Sequence, residues 1–238
     1  MICKEFFDKL IVISDADLKT AENHGFKLPS YRIHSVGINT KKYFKRTKEE
    51  ILTARKEMGY SKDDFICICT GELNKNKNQK RLISVVPEIL KKVPNFKLLL
   101  AGNGPENENL KNLINSLNLK DSAQLLGYRT DLEKFVSISD IAVSMSVREG
   151  LGINLIEAMA CGKPVIGSDN RGHREFIKQN ENGYLLDDNT EQIVEYISAL
   201  ANSQELKEEM GTAAFNDSYI YTDNNVFKEL ENIYFDKE

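Results

Sequence analysis

Short, strongly apolar runs alternate along the chain with amphipathic stretches whose apolar residues recur at helical spacing. In chain order the apolar runs read DKLIVIS, FICICTG, FKLLLAG, AQLLG, IAVSMS, PVIGSD and GYLL. Such alternation predicts βαβ units. Near-continuous runs such as KLLLAG are typical of parallel strands that helices cover on both faces. We therefore predict an α/β fold with a mostly parallel sheet.

The pattern also divides the chain. Residues 1–38 contain a strand, a polar helix and a second strand, YRIHSVG, which are too few to bury a sheet of their own. Residues 39–46 form a linker, and the alternating pattern runs from residue 47 to residue 203. The helical tail, residues 204–238, has no strand left to pair, so we expect it to pack on the outside of another element. Pro87, inside QKRLISVVPEILKKV, predicts a kink or a separate first turn in an otherwise helical stretch.

Composition and charge narrow the class of protein. The 238 residues are 41% hydrophobic, enough for one or two domains with a real core. The net charge of -4 argues against a nucleic-acid-binding face over the whole domain. No apolar run approaches the ~20 residues that span a bilayer, and MICKEFFDKL lacks the order of a secretory signal. We predict a cytoplasmic protein. The basic residues of KKYFKR would favour the inner membrane face, but they are better interpreted as a solvated linker.

The cysteines predict packing rather than chemistry. Cys3, Cys67, Cys69 and Cys161 show no C-x-x-C spacing. Cys67 and Cys69 are two residues apart in a predicted strand, so their side chains point to one face. In a chain without a secretory signal we interpret all four as reduced and structural. No His, Cys or carboxylate cluster has the spacing of metal ligands, and we predict no metal.

The stretch SVREGLGINLIEAMACGKPVIGSD combines glycines with two glutamates and an apolar remainder. The run IAVSMS before it should bring the chain to the carboxyl edge of the sheet, where open α/β sheets bind ligands. Gly150 and Gly152 allow a tight loop, and INLIEAMACG then begins a helix. The free N–H groups at a helix start favour an anion, so we predict that the amides of Gly152, Ile153 and Asn154 bind phosphate.

Glu149 and Glu157 lie on either side of this predicted phosphate site. A carboxylate accepts hydrogen bonds from two neighbouring hydroxyls, so a ribose or hexose diol is a natural partner for each. Taken alone, such a pair is more often a charge that favours the helix dipole and a solvated helix charge. The glycines and the strand-to-helix context favour ligand binding instead.

A second polar cluster, TGELNKNKNQKRL, follows the strand FICIC and therefore lies at the same edge of the sheet. Lys77 is placed to meet a diphosphate, and Lys75, Lys80 and Arg81 raise the local positive potential. A bare charge run is more often a solvated loop, but its position at the end of a parallel strand favours function. The glycines and the proline of AGNGP are explained by the turn that ends the strand. The loop GYRTDL offers backbone groups for a flat base.

The histidines give weaker signals. His173, in RGHREF, is interpreted as a capping or surface histidine because histidine is common at partly exposed positions. A sugar contact is the alternative. His24 and His34 receive no role.

Together these residues resemble the donor-binding half of a GT-B glycosyltransferase, in particular the retaining sugar-nucleotide enzymes of glycosyltransferase family 4. The resemblance rests on EGLGINLIEAMACGKPVIGSD, whose two glutamates are separated by seven residues, and on TGELNKNKN, LLLAGNGP and NRGHREFI. It covers nearly all of the chain. The tract GELNKNKN is also similar to the capsular and exopolysaccharide branch. The resemblance implies a Rossmann-like sheet with helices on both faces.

The resemblance also implies residue roles. Glu149 would contact hydroxyls of the transferred sugar, Glu157 would contact the nucleotide ribose, and Lys77 would hold the diphosphate with the helix-start amides. The residues assigned as catalytic are Glu149 and Lys77, and those assigned to donor binding are Glu157, Gly152, Ile153, Asn154, Leu151, Gly71 and Arg129. A leaving diphosphate needs preorganised positive charge, and phosphate-assisted reaction on one face of the sugar needs neither a protein nucleophile nor a metal.

The implied donor is a UDP-sugar, with a GDP-sugar as the second choice and no further cofactor. The implied acceptor is a saccharide or a lipid-linked saccharide. Glu72 stands where many relatives carry arginine, so Lys75 or Arg81 would have to replace one phosphate contact. Complete enzymes of this kind also have an N-terminal acceptor domain of comparable size. We therefore expect residues 1–38 to be its remnant and the chain to be a fragment, a truncated frame or one subunit of a split transferase.

Two other functions stay open. A non-catalytic subunit of a split transferase would bind the nucleotide without transferring sugar, and a GT-B-type sugar-nucleotide epimerase would convert the sugar without an acceptor. A two-carboxylate hydrolase fits poorly because both glutamates are expected to engage ligand hydroxyls. An NAD-dependent dehydrogenase is disfavoured because no strand is followed by G-x-G-x-x-G.

Overall fold

Each apolar run forms a β-strand in the computed structural model, which describes residues 7–235. The strands are β1 (Leu10–Val12), β2 (Ser30–Arg32), β3 (Phe65–Thr70), β4 (Phe96–Ala101), β5 (Ala123–Gly127), β6 (Ile141–Ser144), β7 (Val165–Ser168) and β8 (Gly183–Leu186). The helices are α1 (Asp15–Asn23), α2 (Lys48–Glu57), α3 (Gln79–Lys92), α4 (Asn107–Ser116), α5 (Leu132–Ile138), α6 (Ile153–Ala160), α7 (Thr190–Asn202), α8 (Gln204–Ser218) and α9 (Asp223–Phe235). Cys3 and the first six residues of MICKEFFDKL lie outside the described residues.

Strands β3 to β8 form one parallel sheet in the order β5-β4-β3-β6-β7-β8. The chain adds β4 and β5 outward on one side of β3, returns to the centre for β6, and then adds β7 and β8 on the other side. This is the Rossmann order, in which the direction of strand addition reverses between β3 and β6. The predicted α/β class with a parallel, Rossmann-like sheet is confirmed.

The side chains of β3 alternate between two hydrophobic clusters, one on each face of the sheet. Cys67 and Cys69 belong to the cluster that includes α3 and α7, whereas Ile66 and Ile68 belong to the cluster built on α5 and α6. Both thiols are free and buried, as is that of Cys161. Burial raises the pKa of the Cys69 thiol to about 12. These cysteines therefore pack in the core as uncharged thiols.

Pro87 lies inside α3, which runs without a break from Gln79 to Lys92. The predicted separate first turn is therefore wrong. Proline removes one helical hydrogen bond, at a cost of ~3 kcal/mol in a helix interior. The same helix buries Leu82, Ile83 and Val86 together with its other apolar residues, and each such side chain contributes about 1.5–3 kcal/mol. Burial of the apolar face outweighs the proline.

The C-terminal tail packs on two different parts of the molecule. Helix α8 lies against α6, with Gly211 close to the Gly162 carbonyl. Helix α9 lies on the separate pair β1 and β2, where Val226 and Ile233 form a small cluster with Ile33. The tail thus supplies the burial that the short N-terminal pair cannot provide for itself. The division of the chain at residues 38, 46 and 203 stays a prediction.

Gly211→Ala should loosen the packing of α8 on α6. A methyl group at this position would lie 2.5 Å from the Gly162 carbonyl oxygen, so the two helices must move apart. We expect a loss of about 1–3 kcal/mol in the free energy of unfolding, measured by thermal or urea denaturation. Thr212→Ala, an exposed change on the same helix, is the matched control and should leave stability unchanged or slightly raised. Equal stability of both variants would contradict close packing at Gly211.

Candidate functional site

A cavity of about 360 Å³ opens at the carboxyl edge of the sheet, between the ends of β3 and β6. We call it the switch-point cavity. Its lining residues are Ile13, Thr70, Gly71, Lys77, Leu132, Glu149, Leu151, Gly152, Ile153, Asn154 and Glu157. Eight of the nine residues that the sequence assigns to the site line it, although they come from loops about 80 residues apart in the chain. Open α/β sheets bind their ligands at this point.

The start of α6 forms one wall of the cavity. Gly152 adopts φ 97° and precedes the first helical residue, Ile153. The first hydrogen bond of this helix runs from the Leu155 N–H to the Gly152 carbonyl at 3.0 Å, so the preceding amides point outward from the helix start. The Asn154 side chain donates to the Thr70 carbonyl at 3.0 Å, which ties the helix start to the end of β3.

The loop after β3 brings Lys77 into the cavity. A methyl group on Gly71, at φ 139°, would lie 3.4 Å from Lys77 Cε, so the glycine leaves room for the lysine stem. Asn76 connects this loop to the loop after β6: its carbonyl accepts from the Val147 N–H at 2.8 Å, and its side chain accepts from the Arg148 N–H at 3.1 Å. Asn76 was not predicted, because an asparagine in an asparagine-rich tract gives no separate signal.

Lys77 and Glu149 form an ion pair in the cavity, with the Lys77 ammonium donating to the Glu149 carboxylate. Their side chains are 21% and 13% exposed, so solvent screens the pair less than it would a surface pair. The sequence assigned the two groups to different parts of one ligand. The structure adds that each is the charge partner of the other.

Glu157 lies one turn inside α6, on the cavity side. Burial raises the pKa of its carboxyl to about 7, although a hydrogen bond from the Tyr43 hydroxyl and the charge of Lys42 both act to lower it. Near neutral pH this carboxyl therefore gains or loses its proton readily. Tyr43 itself is buried and comes from the predicted linker 39–46. This contact had little signal in the sequence, since Tyr43 stands among basic residues without periodic spacing.

His173 is fully buried. The expectation of a partly exposed, surface position is therefore wrong. It begins a 3-10 turn after β7, where its backbone N–H donates to the Asn170 side chain at 3.0 Å. Its Nδ1 lies 2.7 Å from the Ser168 carbonyl, and burial lowers the pKa of the imidazole. The ring sits beneath Gly152, where a methyl group would lie 2.9 Å from Cδ2. The missing side chain at Gly152 thus makes room for His173 under the helix start.

Arg129 does not reach the switch-point cavity. Its guanidinium forms two hydrogen bonds of 2.9 Å to Asp131 and lies over the Phe135 ring. Arg81 also points elsewhere and donates to the Asp187 carbonyl at 2.9 Å. Lys75 is exposed and does not line the cavity. Lys77 is accordingly the basic side chain that lines it.

Within residues 7–235, no three His, Cys, Asp or Glu side chains are arranged to hold a metal ion. None of the helices described there is long and apolar enough to cross a membrane. The metal-free site stays a prediction.

Comparison with known proteins places these features in one family. The family model described as glycosyl transferases group 1 matches residues 50–217. EpsD of Bacillus subtilis (strain 168), whose name assigns it provisionally to the glycosyltransferases, is 32% identical over 233 residues, which cover 96% of this chain and 61% of EpsD. N-acetyl-alpha-D-glucosaminyl L-malate synthase of Bacillus anthracis is 30% identical over 235 residues, which cover 94% of this chain and 61% of that enzyme.

A solved structure shows the same fold. HepE of Anabaena, in complex with UDP, aligns with a TM-score of 0.87 at 20% sequence identity, covering 99% of this chain and 65% of HepE. The predicted GT-B fold class is thereby confirmed. The chain spans about three fifths of the length of the two curated relatives described above. The match over most of its length shows that the chain belongs to the glycosyl transferases group 1 family.

Proposed function

We propose that this chain supplies the donor site of a sugar-nucleotide-dependent, retaining glycosyltransferase that acts in polysaccharide or glycolipid biosynthesis. One observation carries the proposal: at the switch point, a lysine, a free helix start and two glutamates line a single cavity. Positive charge and free amides suit a diphosphate. Carboxylates on either side suit the hydroxyls of the ribose and of the transferred sugar.

In this arrangement the α6 amides and Lys77 hold the diphosphate, Glu157 accepts from the ribose hydroxyls, and Glu149 accepts from the sugar. As the bond to the sugar breaks, negative charge grows on the leaving diphosphate. The helix start and Lys77 are fixed where that charge develops, so they stabilise the transition state more than the bound donor. Glu149 must release Lys77 as it takes up the sugar, and the freed ammonium then faces the phosphate.

We propose a UDP-sugar as the donor, because HepE has been solved with UDP and with UDP-glucose. A saccharide or lipid-linked saccharide is the proposed acceptor, and the EpsD match supports polysaccharide chemistry. A second subunit or domain that carries the acceptor, and a cytoplasmic location at or near the inner membrane face, belong to the same proposal. A complete transferase assembly should move the sugar to an acceptor, whereas an epimerase would convert the sugar without one. This difference distinguishes the proposed transferase from an epimerase.

Calorimetric titration of the chain with UDP and GDP tests the donor assignment. We expect UDP to bind at least about tenfold more tightly than GDP, a difference of ~1.4 kcal/mol. Circular dichroism on the same samples shows that the chain is folded. Preference for GDP would overturn the choice of base, and no binding of either nucleotide by the folded chain would overturn the donor site.

A further inference from the structure

A second cavity lies at the opposite, amino edge of the sheet. It has a volume of about 510 Å³ and is enclosed by α2, the residues before β6, the turn before β7 and α8. We call it the amino-edge cavity. Because β6 and β7 each span four residues, about 13 Å of strand separates it from the switch-point cavity. Nothing in the donor site uses its residues.

The amino-edge cavity is strongly basic in a chain whose net charge is -4. Seven lysine or arginine side chains line it, against two acidic ones. Lys48 and Lys62 are exposed at the rim. Arg55 and Lys163 lie at the base and are only 6% and 7% exposed. A local excess of five positive charges attracts anions and repels cations.

The buried charges at the base of this cavity are not balanced. Asp140 accepts from the Arg55 guanidinium and from the Lys207 ammonium, both at 2.7 Å, and also from the Ile66 N–H at 2.8 Å. Both oxygens of its carboxylate therefore already accept hydrogen bonds. Lys163 donates to the Ser137 carbonyl at 2.7 Å and forms no salt bridge with any described residue. Arg55 and the partly buried Lys207 thus share one carboxylate, and the buried Lys163 has no carboxylate partner of its own among the described residues.

We propose that the amino-edge cavity binds a phosphate group, with Lys163 at its base and Lys48 and Lys62 at its rim. A buried ammonium has three N–H donors, and the Ser137 carbonyl takes up one of them. A phosphate oxygen would accept a charge-assisted hydrogen bond from another and supply the missing negative charge. Burial lowers the pKa of Lys163 to about 8, with the charge of Asp140 opposing the shift and those of Arg55 and Lys207 adding to it, so the lysine is still mostly charged at neutral pH. The inference does not depend on the proposed donor site.

Titration of inorganic pyrophosphate into Lys77→Ala and into Lys77→Ala/Lys163→Met tests the proposal. The shared Lys77→Ala change weakens any pyrophosphate binding in the switch-point cavity. We expect the double variant to bind pyrophosphate at least about tenfold more weakly than the single variant. Methionine keeps the length of the lysine stem, and the change leaves no described carboxylate without a salt-bridge partner, because Lys163 forms no salt bridge with any described residue. If the double variant does not fold, Lys48→Gln/Lys62→Gln in the same background should still weaken binding several-fold.

Vesicle sedimentation separates the two sources of a phosphate group. If the group is a lipid headgroup, the wild-type chain should sediment with phosphatidylglycerol vesicles but not with phosphatidylcholine vesicles, and Lys163→Met should lose this binding. If the group is a free phosphate, Lys163→Met should weaken pyrophosphate binding, and the chain should not sediment with either kind of vesicle. The proposal is wrong if neither probe binds, or if folded Lys163 and rim variants bind both probes as tightly as their parent proteins do.

Discussion

Lys77→Ala should weaken UDP binding by about thirtyfold to a hundredfold. The substitution removes the basic side chain that lines the switch-point cavity and leaves the partly buried Glu149 carboxylate without its partner. An unpaired carboxylate beside a diphosphate repels it. The expected loss of about 2–3 kcal/mol lies at the lower end of the about 2–5 kcal/mol that truncation of one member of such a pair commonly costs. Calorimetric titration with UDP measures the change. Lys75→Ala, on the same loop but exposed, is the matched control and should bind UDP as the wild type does.

A double variant separates the lost attraction from the new repulsion. In Lys77→Ala/Glu149→Gln both charges of the ion pair are absent, so part of the UDP affinity and of the thermal stability lost in Lys77→Ala should return. If Lys77→Ala and Lys75→Ala bind UDP equally well, Lys77 does not contact the diphosphate. If the double variant is no better than Lys77→Ala, repulsion by Glu149 is not part of the loss.

Glu157→Gln should remove a pH dependence of donor binding that centres on about pH 7. The folded-state pKa of this carboxyl is about 7, and the ionised form accepts more hydrogen bonds from a diol than the protonated form. The affinity of the wild type for UDP-glucose should therefore rise up to about tenfold from about pH 6 to pH 8. The diphosphate of UDP-glucose, a diester, does not titrate in this range. Glu157→Gln should bind weakly and with a flat pH profile.

The ionisation of Glu157 should affect stability in the opposite direction from donor affinity: as pH rises, its contribution to the stability of the fold falls. Burial raises its carboxyl pKa from 4.5 in the unfolded chain to about 7 in the fold. The folded state then holds this proton more tightly, so its contribution to stability falls as pH rises from 4.5 to 7. Glu157→Gln cannot ionise and should be more stable than the wild type at pH 8, by about 3 kcal/mol, but not at pH 4. Denaturation at both pH values measures this difference.

Tyr43→Phe tests the local cause of the Glu157 pKa. The Tyr43 hydroxyl lowers this pKa by donating a hydrogen bond to the carboxylate. Its removal should shift the midpoint of the UDP-glucose profile to higher pH while the ring stays packed. If the affinity of Glu157→Gln for UDP-glucose rises with pH as that of the wild type does, the titrating group is not Glu157.

Periodicity along the chain was sufficient to predict the strands and their parallel arrangement. Runs such as AQLLG and GYLL coincide with β5 and β8, because an apolar strand between turn residues has few alternative conformations. It was not sufficient at Pro87, where local propensity predicted a kink or a separate first turn. The buried face of α3 kept the helix continuous, and only tertiary packing determines how much apolar surface a helix buries.

The candidate site was predictable to a similar extent. Glycines, a lysine and two glutamates just after strands give a local signal, and parallel strands bring their carboxyl ends to one edge of the sheet. The burial of His173 and the position of Arg129 away from the cavity have no such signal. Each depends on a neighbour distant in sequence or on a local charge partner: Gly152 makes room for the histidine, and Asp131 holds the arginine.

The sequence by itself determined the fold class and most of the residues that surround the switch-point cavity, because strand periodicity and loop chemistry are local properties of the chain. Only the tertiary structure placed Tyr43 against Glu157, paired Lys77 with Glu149 and gathered seven basic side chains at the amino edge. These contacts join residues that are far apart in sequence. Their charge states depend on burial, which is known only once the chain has folded.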